Sequence, residues 1–247
     1  MSPDRVLGVE DVGAGYGETT VLRGVTLSVD EGEIVSIVGR NGAGKTTTLR
    51  TITGILPPDS GRITHRGDDI SDLGPAATAK RGVSLVPEER RIFPELTVEE
   101  NLRLAAHGGA DDTDSVGVDE AIDWFPNLRD RAGNNGSSLS GGEQQMLAIA
   151  RALVAGADVL LLDEPTEGLA PQIVDDVIDI VRDLNDRGIT VLMVEQNVGV
   201  CLELSDRNYI IDRGSVVWSG SSEQLTGERE ILERYLGVKV EGSHPGG

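Results

Sequence analysis

Apolar and polar residues alternate through the first thirty positions. Residues 5–16 and 21–33 therefore read as two strands joined by a turn at Gly17-Glu18. The pattern then changes. Residues 34–38 form an unbroken β-branched run ending at Gly39, residues 158–162 are apolar after the first, and residues 189–194 repeat the theme. Continuous runs of this kind predict parallel strands buried on both faces. Helical spacing separates them. It predicts helices over about 44–53, over 98–107, over 118–124, from the Gly/Ser-rich stretch 133–142 to about 156, and over 171–187, where Ile173, Val174, Val177, Ile178, Val181 and Leu184 share a face and Gly188 ends the helix. A short strand is predicted at 83–87, a turn at 57–61, a hairpin of 209–211 with 215–218 around Asp212-Arg213-Gly214, and a closing helix at 222–236. The Asp- and Gly-rich stretch 108–117 reads as a loop and residues 238–247 as a disordered tail. No internal repeat is visible.

A chain of 247 residues fits one large α/β domain, or a core with a small lobe. Aromatic residues are only 3%, so the core must rest on Val, Ile, Leu and Ala. No apolar run approaches the roughly 18 residues needed to span a bilayer. The start, Met1-Ser2-Pro3-Asp4, lacks the basic-then-apolar pattern of a leader. The expectation is a cytosolic protein that reaches a membrane through partners. The single cysteine, Cys201, has no partner for an internal disulfide and reads as a small core residue on a helix in a reducing compartment. The net charge of −20 disfavours nucleic acid as a partner. Lysine occurs only at Lys45, Lys80 and Lys239, and arginine supplies the remaining cations. An acid-rich, lysine-poor surface suggests a halophilic source, since in molar salt the Debye length falls to about 3 Å and self-repulsion is screened. The alternative is an ordinary acidic bacterial protein.

The chemistry concentrates in three places. Gly39-Arg40-Asn41-Gly42-Ala43-Gly44-Lys45-Thr46 fits the phosphate-binding pattern G-x-x-x-x-G-K-[ST] in full, with a buried strand before it and a helix after it. Backbone amides and the helix N-terminus would face an anion. Gly39, Asn41, Gly42, Ala43, Gly44, Lys45, Thr46 and Thr47 are the expected phosphate contacts, with Lys45 as point charge and the Thr46 hydroxyl as a Mg²⁺ ligand. The apolar run 159–162 ends in Asp163-Glu164. Carboxylates at the C-terminal tip of a buried strand lie where α/β sheets bind ligands. Asp163 would hold Mg²⁺, and Glu164 would act as general base or polarise the attacking water. The third place is Leu139-Ser140-Gly141-Gly142-Glu143-Gln144-Gln145, a glycine pair opening a helix with Ser140 as N-cap.

Leu-Ser-Gly-Gly-Glu-Gln-Gln is similar to the signature motif of ATP-binding cassette (ABC) ATPases, and with the other two motifs the resemblance covers about residues 6–236. It implies a RecA-like α/β P-loop NTPase core with an N-terminal antiparallel β region and a small helical lobe. The implied division is a single cassette over 5–237, with the core at about 5–88 and 157–237 and the lobe at about 89–156. By resemblance, Ser140, Gly141 and Gly142 bind the γ-phosphate of ATP held by a second cassette, and Tyr16 stacks on adenine. The loop Pro165-Thr166-Glu167-Gly168-Leu169-Ala170 resembles the one linking the two ATP sites, with its usual closing Asp replaced by Ala170. Glu88 stands where Gln is usual and is expected to touch the metal or its waters. Gln196 replaces the usual switch histidine. It cannot titrate, but its amide can donate to a γ-phosphate oxygen.

The run from Val86 to Leu102, together with Glu195-Gln196-Asn197, is similar to one of the two ATPases of branched-chain amino-acid importers. Importers of urea or short amides look nearly alike, and lipid or lipopolysaccharide exporters use similar cassettes. The resemblance implies ATP and Mg²⁺ as cofactors, a second ABC ATPase subunit, two membrane permeases and an external solute-binding protein. It places the chain peripherally on the cytoplasmic face of the cell membrane. Ile92, Phe93 and Leu96 would either line the groove that receives a permease helix or pack the lobe.

Overall fold

The computed structural model describes residues 5–108 and 116–237. Most of the predicted loop 108–117, and the predicted tail 238–247, lie outside the described residues.

The alternating N-terminal segments form β1 (Arg5–Tyr16) and β2 (Thr19–Asp30), paired antiparallel. With β4 (Ser60–His65) and the short β5 (Asp68–Asp69) they make a four-stranded sheet of order β2-β1-β4-β5. The second sheet uses the unbroken apolar runs: β3 (Ile34–Val38), β6 (Val83–Val86), β7 (Val159–Asp163) and β8 (Thr190–Glu195), with β9 (Arg207–Asp212) and β10 (Ser215–Ser221). Its order is β10-β9-β3-β8-β7-β6, parallel throughout except for the edge hairpin β9-β10.

The apolar runs are continuous because both faces of this sheet are covered. Ile34 and Val38 of β3, Leu160 and Leu162 of β7, and Val191 and Met193 of β8 face a cluster shared with the helices. Val35 and Ile37, Val159 and Leu161, and Leu192 and Val194 face the antiparallel sheet and helix α1 (Lys45–Ile52). After α1 come α2 (Pro75–Lys80), then α3 (Val98–Gly108), α4 (Val118–Trp124), α5 (Pro126–Arg129) and α6 (Gly141–Val154). Leu102, Phe125, Leu128, Met146 and Leu147 from these helices join the same cluster as Leu160 and Leu162. The amphipathic α7 (Pro171–Asp186) adds Val177, Ile178, Val181 and Leu184, and α8 (Val198–Leu204) adds the buried Cys201. Burial pushes the Cys201 thiol up to about 12, so it sits there as an apolar side chain.

Three departures from the sequence pattern have local causes. The stretch 222–236 is not one helix. It divides into α9 (Ser222–Gly227), α10 (Arg229–Ile231) and a π-turn (Leu232–Leu236), because Gly227 is a poor helix former and Glu228 leaves helical backbone at ψ 65°. Ser60 and Gly61 begin β4 instead of completing a turn, since β1 offers them a partner edge. The second predicted strand, 21–33, is shifted toward the N-terminus: β2 runs from Thr19 to Asp30 and a turn at Glu31-Gly32 precedes β3, which begins at Ile34 as the pattern indicates.

Candidate functional site

Between β3 and α1 the chain has six residues to reverse around a point. Gly44 makes the last of that turn possible, at φ 113°, a backbone that side chains rarely adopt. The first α1 amides then point into the loop. Lys45 is buried, and its Nζ donates to the Gly39 carbonyl at 2.9 Å and the Arg40 carbonyl at 3.4 Å. A cavity of about 510 Å³ opens here. Asn41, Gly42, Gly44, Lys45, Thr46 and Thr47 line one wall, and Glu88, Glu164, Glu167 and Gln196 line the other, with Val21 at its side. The fold thus joins residues from β6, β7 and β8 to the loop after β3, at the C-terminal edge of the parallel sheet.

Asp163 closes β7 and is buried. The Thr46 hydroxyl donates to its Oδ1 at 2.9 Å. Burial pushes the Asp163 carboxyl above its usual range. The Thr46 hydrogen bond opposes that push, and the nearby negative charges of Glu164 and Glu88 reinforce it. Glu164 follows on a turn at φ 48°, an uncommon backbone for a non-glycine residue. Its Oε1 lies 3.2 Å from Lys45 Nζ, and its Oε2 accepts a hydrogen bond from the Gln196 amide. Its backbone N–H donates to the Val194 carbonyl at 2.9 Å.

This arrangement fits a nucleotide phosphate with a divalent cation. A helix N-terminus and glycine amides suit the anion. Glu88, Glu164 and Glu167 line the cavity and Asp163 lies close to two of them, against the buried Lys45 ammonium and the nearby Arg50, so the site carries surplus negative charge that a cation would neutralise. Among the described residues no three His, Cys, Asp or Glu side chains gather as a complete metal cage. Mg²⁺ keeps several waters and shares phosphate oxygens, so a Thr hydroxyl and one carboxylate suit it.

Ser140, Gly141 and Gly142 stand elsewhere. They open α6, and Ser140 and Gly142 line a separate hollow of about 380 Å³ with Asn127, Asp130, Arg131, Glu143, Met146, Ile173 and Asp176. Ser140 caps the 14-residue helix. Its Oγ accepts from the Glu143 N–H at 3.3 Å, while Glu143 Oε2 accepts from the Ser140 N–H at 2.7 Å. The Ser140 O–H proton therefore remains available to an incoming anion. Gly142 is required by packing, since a Cβ there would come within 2.3 Å of Ile173 Cγ2. Tyr16 is exposed at the end of β1, with its hydroxyl 3.5 Å from Arg50 Nη1, and does not line the Lys45 cavity.

The apolar trio after Glu88 divides. Phe93 is 41% exposed and lines a groove of about 670 Å³ with Ile55, Leu85 and Leu104, under the guanidinium of Arg151 at 4.6 Å. Ile92 packs onto the helical core, and Leu96 is partly buried outside the groove wall. Sequence reasoning read Glu195 only as part of the Glu195-Gln196-Asn197 run and did not single it out. It ends β8 fully buried, and the signal was the one that marked Asp163, a carboxylate closing an apolar strand.

Residues 22–167 match the family model described as ABC transporter. The chain is 39% identical over 232 residues to the high-affinity branched-chain amino acid transport ATP-binding protein BraG of Pseudomonas aeruginosa, covering 94% of this chain and 100% of that one. It is also 38% identical over 235 residues to the lipopolysaccharide export system ATP-binding protein LptB of Haemophilus influenzae, covering 94% and 97%. Among solved structures it resembles a nucleotide-free ATP-binding cassette from an ABC transporter, with 26% identity, TM-score 0.81 and 96% and 100% coverage. It also resembles a dimeric cassette in a post-hydrolysis state bound to ADP and phosphate, with 27% identity, TM-score 0.76 and 87% and 98% coverage.

Proposed function

This chain belongs to the ABC transporter family as an ATPase whose hydrolysis is coupled to transport, and from that premise we propose that it energises uptake of branched-chain amino acids. Cassettes of the family dimerise and work with membrane permease components. The observation that carries the import reading is the match to BraG along that protein's whole length. It is supported by the run around Phe93 and by Glu195-Gln196-Asn197. The comparable identity to LptB keeps lipid export as the second reading.

In the proposed mechanism Lys45, Asn41, Gly42, Ala43, Gly44, Thr46 and Thr47 hold the phosphates of ATP, and Gly39 lets the loop begin its turn. Bound Mg²⁺ would supply Lewis-acid charge to the phosphates, with Thr46 and Asp163 as the residues to hold it and Glu88 to touch the metal or its waters. Glu164 Oε1 is paired with Lys45 and its Oε2 with Gln196. A γ-phosphate gives Lys45 a stronger partner, which frees Glu164 Oε1 to accept a proton from water. Gln196 keeps Glu164 oriented and presents its amide to the phosphate. Ser140, Gly141 and Gly142 of the second cassette complete the pocket from the far side, where the α6 dipole stabilises transferred charge. Tyr16, exposed at the end of β1 and outside the Lys45 cavity wall, is the aromatic side chain proposed to stack on adenine. The chain acts as one cassette over 5–237, with the helices of 89–156 as the lobe that carries the signature.

Among the described residues no helix is long and apolar enough to cross a membrane. The proposed location is peripheral, on the cytoplasmic face. Phe93, Ile55 and Leu104 form the apolar floor of a groove whose rim carries Arg50, Arg90, Arg91 and Arg151, a local cationic patch on a chain of charge −20. It suits a permease helix. The proposed assembly adds a second cassette, the same or different, two permeases and an external solute-binding protein. The test is reconstitution of the co-purified complex in proteoliposomes. ATP-dependent accumulation of labelled leucine supports import. Lipid release with no leucine uptake would establish the exporter reading instead.

A further inference from the structure

Glu195 is 2% exposed, and every contact of its carboxylate is to a loop that carries site residues. Its Oε1 accepts from the Thr166 N–H at 3.1 Å and the Thr166 hydroxyl at 2.7 Å. Its Oε2 accepts from the Gln196 N–H at 3.1 Å and the Asn197 N–H at 3.4 Å. One oxygen thus fastens the turn two residues after Glu164, and the other fastens the loop that begins with Gln196. The two loops are 29 residues apart in sequence and meet at this side chain.

Resting on the site reading above, we infer that Glu195 is a positioning residue for hydrolysis: its carboxylate locks the Glu164 turn to the Gln196 loop so that both side chains face the phosphate pocket in fixed relation. Two further observations support it. Glu164 holds φ 48°, a left-handed backbone uncommon for a non-glycine residue, which persists only where surrounding structure over-determines it. The Glu195–Thr166 bonds supply that constraint from the neighbouring strand. Burial also pushes the Glu195 carboxyl up, against the bonds from Thr166, Asn197 and Gln196. The four hydrogen bonds from the two loops are what hold this buried carboxylate in place.

The test uses the full chain in its transporter complex and measures steady-state ATP turnover per nucleotide-binding site. Glu195→Gln keeps shape but cannot accept from both loops, because its NH₂ faces donors on one side. The expected result is a fall in kcat of about 100-fold, the scale of a 1 Å misplacement, with KM for ATP within about twofold because the phosphate loop is untouched. Thr166→Val removes one bond and lowers kcat less, and the double variant loses no more than Glu195→Gln alone. Turnover per site within twofold of wild type in Glu195→Gln overturns the inference, whatever happens to Tm. If Glu195→Gln does not fold, Thr166→Val decides alone, with a kcat loss expected and an unchanged kcat refuting. Lys45→Ala run in parallel separates the two levels. Turnover surviving there removes the site reading itself, whereas loss there beside normal turnover in Glu195→Gln removes only the role of Glu195.

Discussion

Replacing Lys45 by Ala tests whether the site is an electrostatic unit or a collection of neighbours. Lys45 and Glu164 have side-chain exposures of 4% and 10% and lie 3.2 Å apart. At an effective dielectric near 20 that separation corresponds to about 5 kcal/mol of attraction before desolvation is subtracted. Desolvation consumes most of the gain when the pair is made. It is not recovered when only one partner is removed. Lys45→Ala leaves Glu164 buried and charged beside Asp163, with Gln196 as its one remaining side-chain donor among the described residues. The expected loss of unfolding free energy is about 3 kcal/mol, at the lower end for a broken buried pair. Adding Glu164→Gln removes the stranded charge, and the double variant regains about 2 kcal/mol.

The measurement is urea unfolding in EDTA without nucleotide, so that no bound ligand contributes stability. ATP turnover is followed on the same preparations. Both variants are expected to be inactive, because neither has the phosphate-facing ammonium. Stability and activity therefore move apart: the second substitution restores the fold and not the reaction. A double variant within about 0.5 kcal/mol of Lys45→Ala would show that Lys45 and Glu164 do not share the energy assigned to them.

Three further outcomes are expected. Phe93→Asp should abolish solute uptake while leaving Tm nearly unchanged, since the ring is 41% exposed and its contact with Arg151 is worth about 0.5–1 kcal/mol; normal uptake would remove the groove as a docking site. Burial holds His65 below its ordinary pKa of 6.5, against the pull of Asp158, so the unfolded chain takes up that proton first. Stability should fall as pH drops below about 6.5, by at most about 1.4 kcal/mol per pH unit from this group, and His65→Gln should flatten that slope; an identical slope in the variant refutes the assignment. Unfolding free energy and ATPase should both rise from dilute buffer to about 1 M KCl, as the charge of −20 is screened, and a flat curve removes the halophilic reading.

How far the sequence was readable depended on whether a residue's role was local. Asp163 stood out because it puts a charge at the end of an apolar run, where a buried strand gives no structural reason for one, and Lys45 because it completes the glycine pattern that follows another such run. The parallel sheet was readable for the same reason, as both its faces are covered. The strand β4 was hidden because Ser60-Gly61-Arg62 looks like a turn until β1 supplies the paired edge. Phe93 and Ile92 are adjacent and equally apolar, and only the packing of α6 sends one to the groove and the other to the core. Glu195 read as part of a motif because its partners lie 29 residues away, on a loop whose approach depends on the pairing of β7 with β8.

The placement of Ala170 connects these points. It is the N-cap of α7, and its side chain can make no capping hydrogen bond, so the loop from Glu164 to Ala170 is not fastened at its far end by a carboxylate. Thr166, held by Glu195, is where the chain itself fastens that loop. Beyond Ala170, α7 carries Ile173 against Gly142 at the start of α6. The path from the Lys45 cavity to the Ser140 hollow therefore runs from Glu195 through Thr166 and α7 to Gly142, within one chain. A helix N-terminus lies at each end of that path, α1 at one and α6 at the other. Neither cavity contains both, so a phosphate contacted by Lys45 and by a Ser140 must have two cassettes around it.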